Sequence, residues 1–293
     1  MALRLDRFAS LYLFWPIKRF TSGRRAAIPI LMYHSVTDED QSSVRPYYKT
    51  TTAPSVFRAQ MELLHRNGYE TLTPAQAIEF ARSVVRQGEK NVVITFDDGF
   101  QDFYRTAFPV LNGFGFTATV YLPTAFIGDS PGYFKGRPCL TWTEVRELQD
   151  HGISFGSHTV NHPQLRTLDR NAISSEIVES KRTIEDKTGR PVDSFAYPYA
   201  FPQTDSPFKS MLKGLLAEAG YKSGVCTAVG RVTRKSDPYF MERIPINGCD
   251  DDALLRAKLA GAYDWVGHSQ ALFKMARMAG VRVSRPTPSI DPA

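Results

Sequence analysis

Short runs of apolar residues alternate with longer amphipathic segments through most of the chain. Seven of the runs are rich in Val, Ile, Phe and Tyr and are bounded by Gly, Pro, Asp or Ser, which is typical of buried β-strands. We therefore predict strands at residues 28–36, 91–97, 117–123, 153–157, 193–198, 223–229 and 242–246.

The segments between these runs have apolar residues at helical spacing. Thr73 followed by Pro74 predicts an N-cap and a first helical residue, and Gly68 predicts the end of the preceding helix. The predicted helices cover residues 55–67, 74–87, 101–112, 143–150, 170–186, 208–218, 251–262 and 269–279.

Strands that alternate with helices predict an α/β protein with a parallel sheet. The body has no long linker and no internal repeat, so a single (β/α) barrel of seven strands is the simplest arrangement, with an open doubly wound sheet as the alternative. We expect the barrel and its C-terminal helices to occupy residues 27–284 and the Pro-rich tail, residues 285–293, to be disordered.

Composition narrows the class of protein. Hydrophobic residues make up 42% and charged residues 23% of the chain, which excludes a disordered or fibrous protein. The three cysteines are scattered and include no CxxC pair, which argues against a disulfide scaffold, a zinc ribbon or a thioredoxin-like motif.

The N-terminal arm, residues 1–26, differs from the body. Residues 1–25 hold six basic residues and one acidic residue, so most of the net charge of +6 lies there and the body offers no nucleic-acid-binding face. Its apolar run at 8–17 is about half of the ~20 residues that a membrane-spanning helix needs.

Three interpretations of the arm stay open: an interfacial helix on an anionic membrane, a helix packed on the body, or an export signal. The export signal is poor, since Asp6 and Pro16 interrupt its pattern. The sequence therefore favours a cytoplasmic protein, with peripheral contact through residues 1–25 at the cytoplasmic face of a bacterial inner membrane as a further hypothesis.

Adjacent carboxylates, Asp97 and Asp98, end the predicted strand at 91–97 in the sequence TFDDG. Neighbouring residues at a strand end point in different directions, so one carboxylate can bind a cation while the other acts as a base. The alternative is a solvated turn, because Asp-Gly pairs are common in turns.

His158 and His162 follow another strand in the sequence HTVNH. At this spacing two histidines lie on one side of a helical turn, so both rings can reach one ion. One Asp and two His make a three-ligand set for one divalent metal, with Zn²⁺ as the first choice and Ni²⁺, Co²⁺ or Fe²⁺ as alternatives.

The C-terminal ends of parallel strands meet at one end of a barrel, where active sites form. Asp97, Asp98, His158 and His162 lie at or just after the ends of predicted strands, and so do His34 in LMYHSV and Tyr199 in FAYPY. We expect these side chains to converge on one site.

The motifs TFDDG, HTVNH and FAYPY resemble those of the polysaccharide deacetylases of carbohydrate esterase family 4, the NodB-homology domain. The resemblance covers about residues 27–247, and the first two motifs in this order are its most specific part. It implies a distorted seven-stranded (β/α) barrel and metal-dependent removal of acetyl groups from N-acetylated sugars.

When the family's residue roles are assigned to the matching positions of this chain, the resemblance implies that Asp98, His158 and His162 hold the metal. It further implies that Asp97 is the general base and that the backbone N–H of Tyr199 helps to bind the oxyanion.

Two departures qualify the resemblance. The third motif usually begins with an arginine that orients the base, whereas this chain has Phe195 there, and we expect Arg243 to supply the charge from another strand. The late Leu-x-His motif is missing, and His34 instead resembles the acid histidine of the permuted branch that contains poly-N-acetylglucosamine deacetylases.

The sequence thus predicts a hydrolase of the N-acetyl amide of an amino sugar in an oligo- or polysaccharide, with no nucleic-acid partner. Three alternatives stay open: a hydrolase of another amide such as an N-formyl sugar, a non-catalytic glycan-binding relative, and a metal phosphoesterase. The last would need further ligands for a second metal.

Overall fold

The computed structural model describes residues 4–21, 27–83 and 90–278. Its strands are β1 (Ile30–Tyr33), β2 (Ser35–Val36), β3 (Thr51–Thr52), β4 (Tyr69–Thr71), β5 (Lys90–Phe96), β6 (Thr119–Leu122), β7 (Tyr133–Phe134), β8 (Arg137–Pro138), β9 (Ser154–Ser157), β10 (Ser194–Ala196), β11 (Ser223–Val229) and β12 (Met241–Pro245).

Helices cover the outside of the sheet. They are α1 (Leu5–Phe8), α2 (Trp15–Thr21), α3 (Pro54–Arg66), α4 (Pro74–Arg82), α5 (Phe108–Gly113), α6 (Trp142–Asp150), α7 (Arg170–Thr188), α8 (Ser206–Glu218), α9 (Asp252–Leu259) and α10 (Asp264–Met278). Two π-helical segments, Ala9–Phe14 and Phe103–Ala107, continue directly into α2 and α5.

Seven parallel strands close into a barrel. They follow one another in the order β1, β5, β6, β9, β10, β11 and β12, and β12 pairs again with β1. At the junction of the first and second of these strands, Ile30–Tyr33 lie opposite Val93–Phe96. The predicted seven-stranded (β/α) barrel is confirmed, and each of the seven predicted strands overlaps one strand of the barrel.

Successive side chains of each strand point alternately into the barrel and outward to the surrounding helices. Ile30, Val93 and Val225 belong to a buried cluster that also contains Ala77 and Ile78 of α4. Because Ile30 begins its strand, α4 covers the N-terminal end of the interior. Apolar side chains thus fill that end, and the opposite end is left for polar groups.

Local residues set the boundaries of several helices, and Thr73 and Pro74 do so as predicted. Thr73 accepts a hydrogen bond from the backbone N–H of Gln76 at 3.2 Å in a complete capping box, and α4 begins at Pro74. Gly189 ends α7 with a φ of 68°, a left-handed conformation that glycine adopts without steric cost. In contrast, α10 begins at 264, five residues before the predicted start at 269.

The N-terminal helical segment, which is formed by α1, the π-helical Ala9–Phe14 and α2, packs on the barrel beside α9 and α10. Phe14 stacks on Trp265 with ring centroids 5.4 Å apart, and the indole N–H of Trp265 donates to Ser10 Oγ at 3.1 Å. No helix in the described ranges is long and apolar enough to cross a bilayer.

Some predicted segments lie wholly or partly outside the described residues. They are the tail at 285–293, the last residue of the helix at 269–279 and residues 84–87 of the helix at 74–87.

Candidate metal centre and active site

The end of β5 places two adjacent carboxylates in different directions. The backbone N–H of Asp97 donates to Tyr33 O at 3.0 Å, which continues the ladder to β1. Asp98 then turns into the left-handed region with a φ of 71°, and Gly99 follows with a φ of 61°. A Cβ on Gly99 would lie 2.9 Å from Leu122 Cδ2, so this turn requires glycine.

Asp98 faces two imidazole rings. Its Oδ1 lies 3.3 Å from His162 Nε2 and 3.6 Å from His158 Nε2, and all three side chains are buried. Metal–ligand bonds of about 2.1 Å in tetrahedral geometry hold neighbouring ligand atoms about 3.4 Å apart. The three predicted ligands are therefore spaced as ligands of one ion.

His158 presents the correct nitrogen. Its Nδ1 lies 2.8 Å from Ala196 O, and since a carbonyl only accepts, Nδ1 carries the proton and Nε2 offers its lone pair towards Asp98. Burial outweighs the nearby carboxylates and lowers the pKa of His158 to about 4. The ring is thus neutral at physiological pH, as a metal ligand must be.

The loop between the two histidines is not the helical turn that their spacing predicted. Thr159 and His162 have φ values of 69° and 54°, and no helix is formed from 158 to 162. The loop instead folds back on itself, because Thr159 Oγ1 accepts from the backbone N–H of His162 at 3.0 Å. The predicted convergence of the rings is found, but a left-handed loop produces it.

Glu176 of α7 holds this loop from outside. Its Oε2 accepts from the backbone N–H groups of Val160 at 2.7 Å and Asn161 at 2.9 Å. Its Oε1 accepts from the side-chain amide of Asn161 at 2.8 Å. Glu176 could not be selected from the sequence, since nothing in a helical glutamate marks it as the partner of a loop that precedes it.

Left-handed backbone is concentrated at the site. Within the described ranges, five residues other than glycine have positive φ, and all five line this region: Asp98, Lys135, Thr159, His162 and Tyr199. Such conformations are costly for residues with a Cβ and cluster at functional sites.

Asp97 faces the barrel interior, where Arg243 of β12 meets it. The guanidinium donates from Nη1 to Oδ1 at 2.6 Å and from Nη2 to Oδ2 at 2.7 Å, and Arg243 is fully buried. Its Nε donates to Cys226 O at 3.1 Å and Nη1 also to Thr95 Oγ1 at 3.2 Å. Burial by itself would raise the pKa of Asp97, but the charge and hydrogen bonds of Arg243, together with the nearby His158 and His34, hold the pKa below the usual value.

His34 directly follows β1 at the same end of the barrel. Burial lowers its pKa, and the charges of Asp98 and Asp97 act in the opposite direction, which places the imidazole within the field of both carboxylates. The next residue, Ser35, donates to Asp102, whose other oxygen accepts from the Val36 N–H at 3.2 Å. Asp102, which no sequence motif marked, thus fixes β2 directly after His34.

Aromatic rings and a lysine side chain surround the mouth of the site. The ring of Tyr199 lies 4.8 Å from that of His162, and Phe134 lies 5.0 Å from His162 on another side. Lys135, in the turn of the β7–β8 hairpin, places Nζ 3.8 Å from Asp98 Oδ2 and 5.8 Å from the Tyr199 ring. The lysine thus lies at Oδ2, whereas the imidazoles lie at Oδ1.

Comparison with known proteins places this chain in a family. The family profile described as polysaccharide deacetylase matches residues 85–222. YxkH of Bacillus subtilis (strain 168), provisionally named a polysaccharide deacetylase, is 33% identical over 222 residues, which cover 76% of this chain and 72% of the relative. The chain belongs to the polysaccharide deacetylase family. The family and the hydrolase class predicted from the three motifs are confirmed.

Two further similarities extend the comparison. The poly-β-1,6-N-acetyl-D-glucosamine N-deacetylase of Escherichia coli (strain K12) is 32% identical over 162 residues, 50% of this chain, which spans only 21% of that deacetylase. The structure of the deacetylase PplD of Streptococcus pyogenes in complex with acetate superposes with a TM-score of 0.69, with 25% identity, over 80% of this chain and 99% of that one.

Proposed function

We propose that this polysaccharide deacetylase hydrolyses the N-acetyl amide of an amino sugar in a polysaccharide or glycan precursor, with one divalent cation bound by Asp98, His158 and His162. The observation that carries the proposal is the spacing of the Asp98, His158 and His162 ligand atoms directly beside a second, separately held carboxylate, Asp97. Similarity to the Escherichia coli enzyme favours poly-β-1,6-N-acetylglucosamine as the polymer.

The residues present suit a metal ion. One carboxylate oxygen and two imidazole nitrogens all lie within 4.8 Å of one another, and all three residues are buried. Such a donor set suits Zn²⁺ first and Ni²⁺, Co²⁺ or Fe²⁺ next. A cation held there would supply Lewis-acid chemistry to the amide carbonyl and to the attacking water.

Asp97 acts as the general base in this proposal. Its carboxylate stays ionised because Arg243 opposes the effect of burial, so it accepts a proton from water as the water attacks the acetyl carbon. Arg243 also fixes the orientation of both oxygens through two parallel hydrogen bonds.

His34 supplies the proton that the leaving nitrogen needs, since an amide nitrogen leaves poorly as an anion. His34 directly follows β1 and Asp97 directly follows the neighbouring β5, so the acid and the base come from adjacent strand ends of the barrel. The backbone N–H of Tyr199 stabilises the developing oxyanion, and the Tyr199 ring forms a surface for the sugar. The products are acetate and a free amine.

A direct assay tests the proposal. Purified protein is incubated with poly-β-1,6-N-acetylglucosamine oligomers, and acetate and free amine are measured with and without a chelator. We expect equal amounts of both products, loss of activity with the chelator, and recovery with Zn²⁺ or another first-row cation. Elemental analysis of protein purified without added metal identifies the ion.

Each other outcome selects an alternative. Release of formate from N-formyl oligomers, with no acetate released, would indicate a different amide. Oligomer binding without product in the metal-loaded protein would indicate a glycan-binding relative.

A further inference from the structure

Exposed apolar side chains are concentrated on the N-terminal helical segment. Of the ten large hydrophobic residues that are exposed in the described ranges, five lie within its first thirteen residues. They are Leu5 (66% exposed), Phe8 (55%), Tyr12 (63%), Leu13 (55%) and Ile17 (58%), which we call the outer face. The rings of Phe8 and Tyr12 lie 5.1 Å apart, so the outer face includes an exposed aromatic pair.

Specific polar contacts fix the inner side of this helix to the body. Arg4 Nη1 donates to Cys249 O at 2.9 Å, and Tyr263 donates to Asp6 Oδ2 at 3.0 Å. Arg7 pairs with Asp251 at 2.6 Å, and Ser10 is fully buried. The helix therefore cannot rotate to bury its outer face without breaking these contacts, and the exposure is a property of the folded protein.

Charge distinguishes the residues that follow. Arg4 and Arg7 are compensated by Asp6 and Asp251. Residues 18–27 of the sequence contain four basic residues and no acidic residue. An exposed apolar and aromatic surface that a basic sequence follows along the chain has the chemistry of a site for anionic lipid headgroups and the acyl chains below them.

We propose that the outer face docks the protein on an anionic lipid surface. A second copy of the chain is the main competing occupant, but residues 1–25 carry six basic residues and one acidic residue, and repulsion between two such copies opposes their pairing. Anionic lipid removes that repulsion and accepts the apolar side chains at the same time. The location at the cytoplasmic face of the inner membrane stays a prediction from sequence.

Vesicle flotation of the full chain tests the proposal. We expect binding to vesicles of phosphatidylglycerol and phosphatidylcholine, weak binding to phosphatidylcholine alone, and weaker binding at high salt. The triple variant Leu5→Ser, Phe8→Ser, Leu13→Ser should lower the partition coefficient at least roughly tenfold, because three apolar side chains no longer enter the interface.

Matched controls separate docking from folding and catalysis. The double variant Val178→Ser, Leu272→Ser changes exposed apolar residues on α7 and α10 and should bind vesicles as the parent does. The triple variant should keep the parent's unfolding temperature and its acetate release from soluble oligomers. Truncation is a poorer test, since it also removes the contacts of Arg4, Asp6 and Ser10.

Three results would overturn the proposal. They are absence of binding to anionic vesicles at low salt, equal binding by the triple variant, or a dimer in solution that the triple variant dissociates. The assay needs no substrate, so its failure is distinguishable from failure of the proposed deacetylase activity.

Discussion

Asp97 and Asp98 are neighbours in the chain, yet the fold gives them opposite surroundings. Asp98 lies against two imidazoles at 3.3 and 3.6 Å, near the mouth of the site. Asp97 points into the barrel and is held by a buried guanidinium at 2.6 and 2.7 Å. The left-handed φ of Asp98 reverses the direction of its side chain relative to that of Asp97.

The difference suits the two carboxylates of one dipeptide to different chemistry. His158 and His162 would share a cation with Asp98, so that carboxylate suits metal binding. Arg243 already satisfies both oxygens of Asp97 and opposes the effect of burial on its pKa, so that carboxylate suits proton transfer. Substitutions that remove one environment at a time test this division.

The largest effect is expected for Asp98→Asn. The change removes the anionic ligand, so bound metal and activity should be lost together. The metal affinity should fall by more than the roughly 100-fold that is lost when a group supporting a ligand is removed. Metal content after dialysis and acetate release measure the two losses. The control Asp129→Asn, at an exposed acid, should retain both; a metal-loaded Asp98→Asn protein would contradict the ligand assignment.

Asp97→Asn should separate metal binding from turnover. Asparagine cannot accept the proton from water, so kcat should fall by about 10²–10⁴-fold while the metal content stays at the parent value. Steady-state kinetics with elemental analysis of the same sample provides the measurement. Loss of the metal in this variant would show that the two carboxylates do not have separate roles.

Arg243→Met tests the partner of Asp97. The change leaves a buried carboxylate without its positively charged partner, so the free energy of unfolding should fall by about 3–5 kcal/mol. The double variant Arg243→Met, Asp97→Asn should recover part of this loss, because no buried charge is left unpaired.

Urea denaturation measures these free energies. Arg190→Met, which breaks an exposed pair with Asp150, is the control and should cost less than about 1 kcal/mol. If the double variant were no more stable than Arg243→Met alone, the pair would not be the source of the cost.

The smallest effect is expected at the support of the histidine loop. Glu176→Ala removes the acceptor for two backbone N–H groups, which loosens His158 and His162 and should weaken metal affinity by roughly 10–100-fold. Competition with a chromogenic chelator measures the affinity. Glu179→Ala, on an exposed position of the same helix, should leave it unchanged, and equal affinities in both variants would remove Glu176 from the site.

The sequence was sufficient to predict the barrel because its strands are short apolar runs that turn-forming residues bound on each side. All seven barrel strands and the start of α4 at Thr73 and Pro74 could be predicted from local pattern. The β7–β8 hairpin was missed, since two-residue strands have no periodicity to detect. It nevertheless carries Lys135 to the mouth of the site.

The candidate site divides in the same way. Asp98, His158 and His162 could be selected because each follows a strand whose end faces the same side of a parallel barrel. Glu176 and Asp102 could not, since they act through contacts with loops that no local motif encodes. The helical turn predicted at 158–162 was wrong because tertiary contacts, and not spacing, shape that loop.

The sequence by itself determined the order of strands and helices and the residue types available at each strand end, because apolar periodicity and turn residues act locally. Arg243, 146 residues beyond Asp97, was a candidate partner from the sequence, but only the tertiary structure decided that the two side chains meet. It also decided that the N-terminal helix would turn five apolar side chains outward. Both outcomes depend on the closure of the barrel, which brings distant strands and helices together.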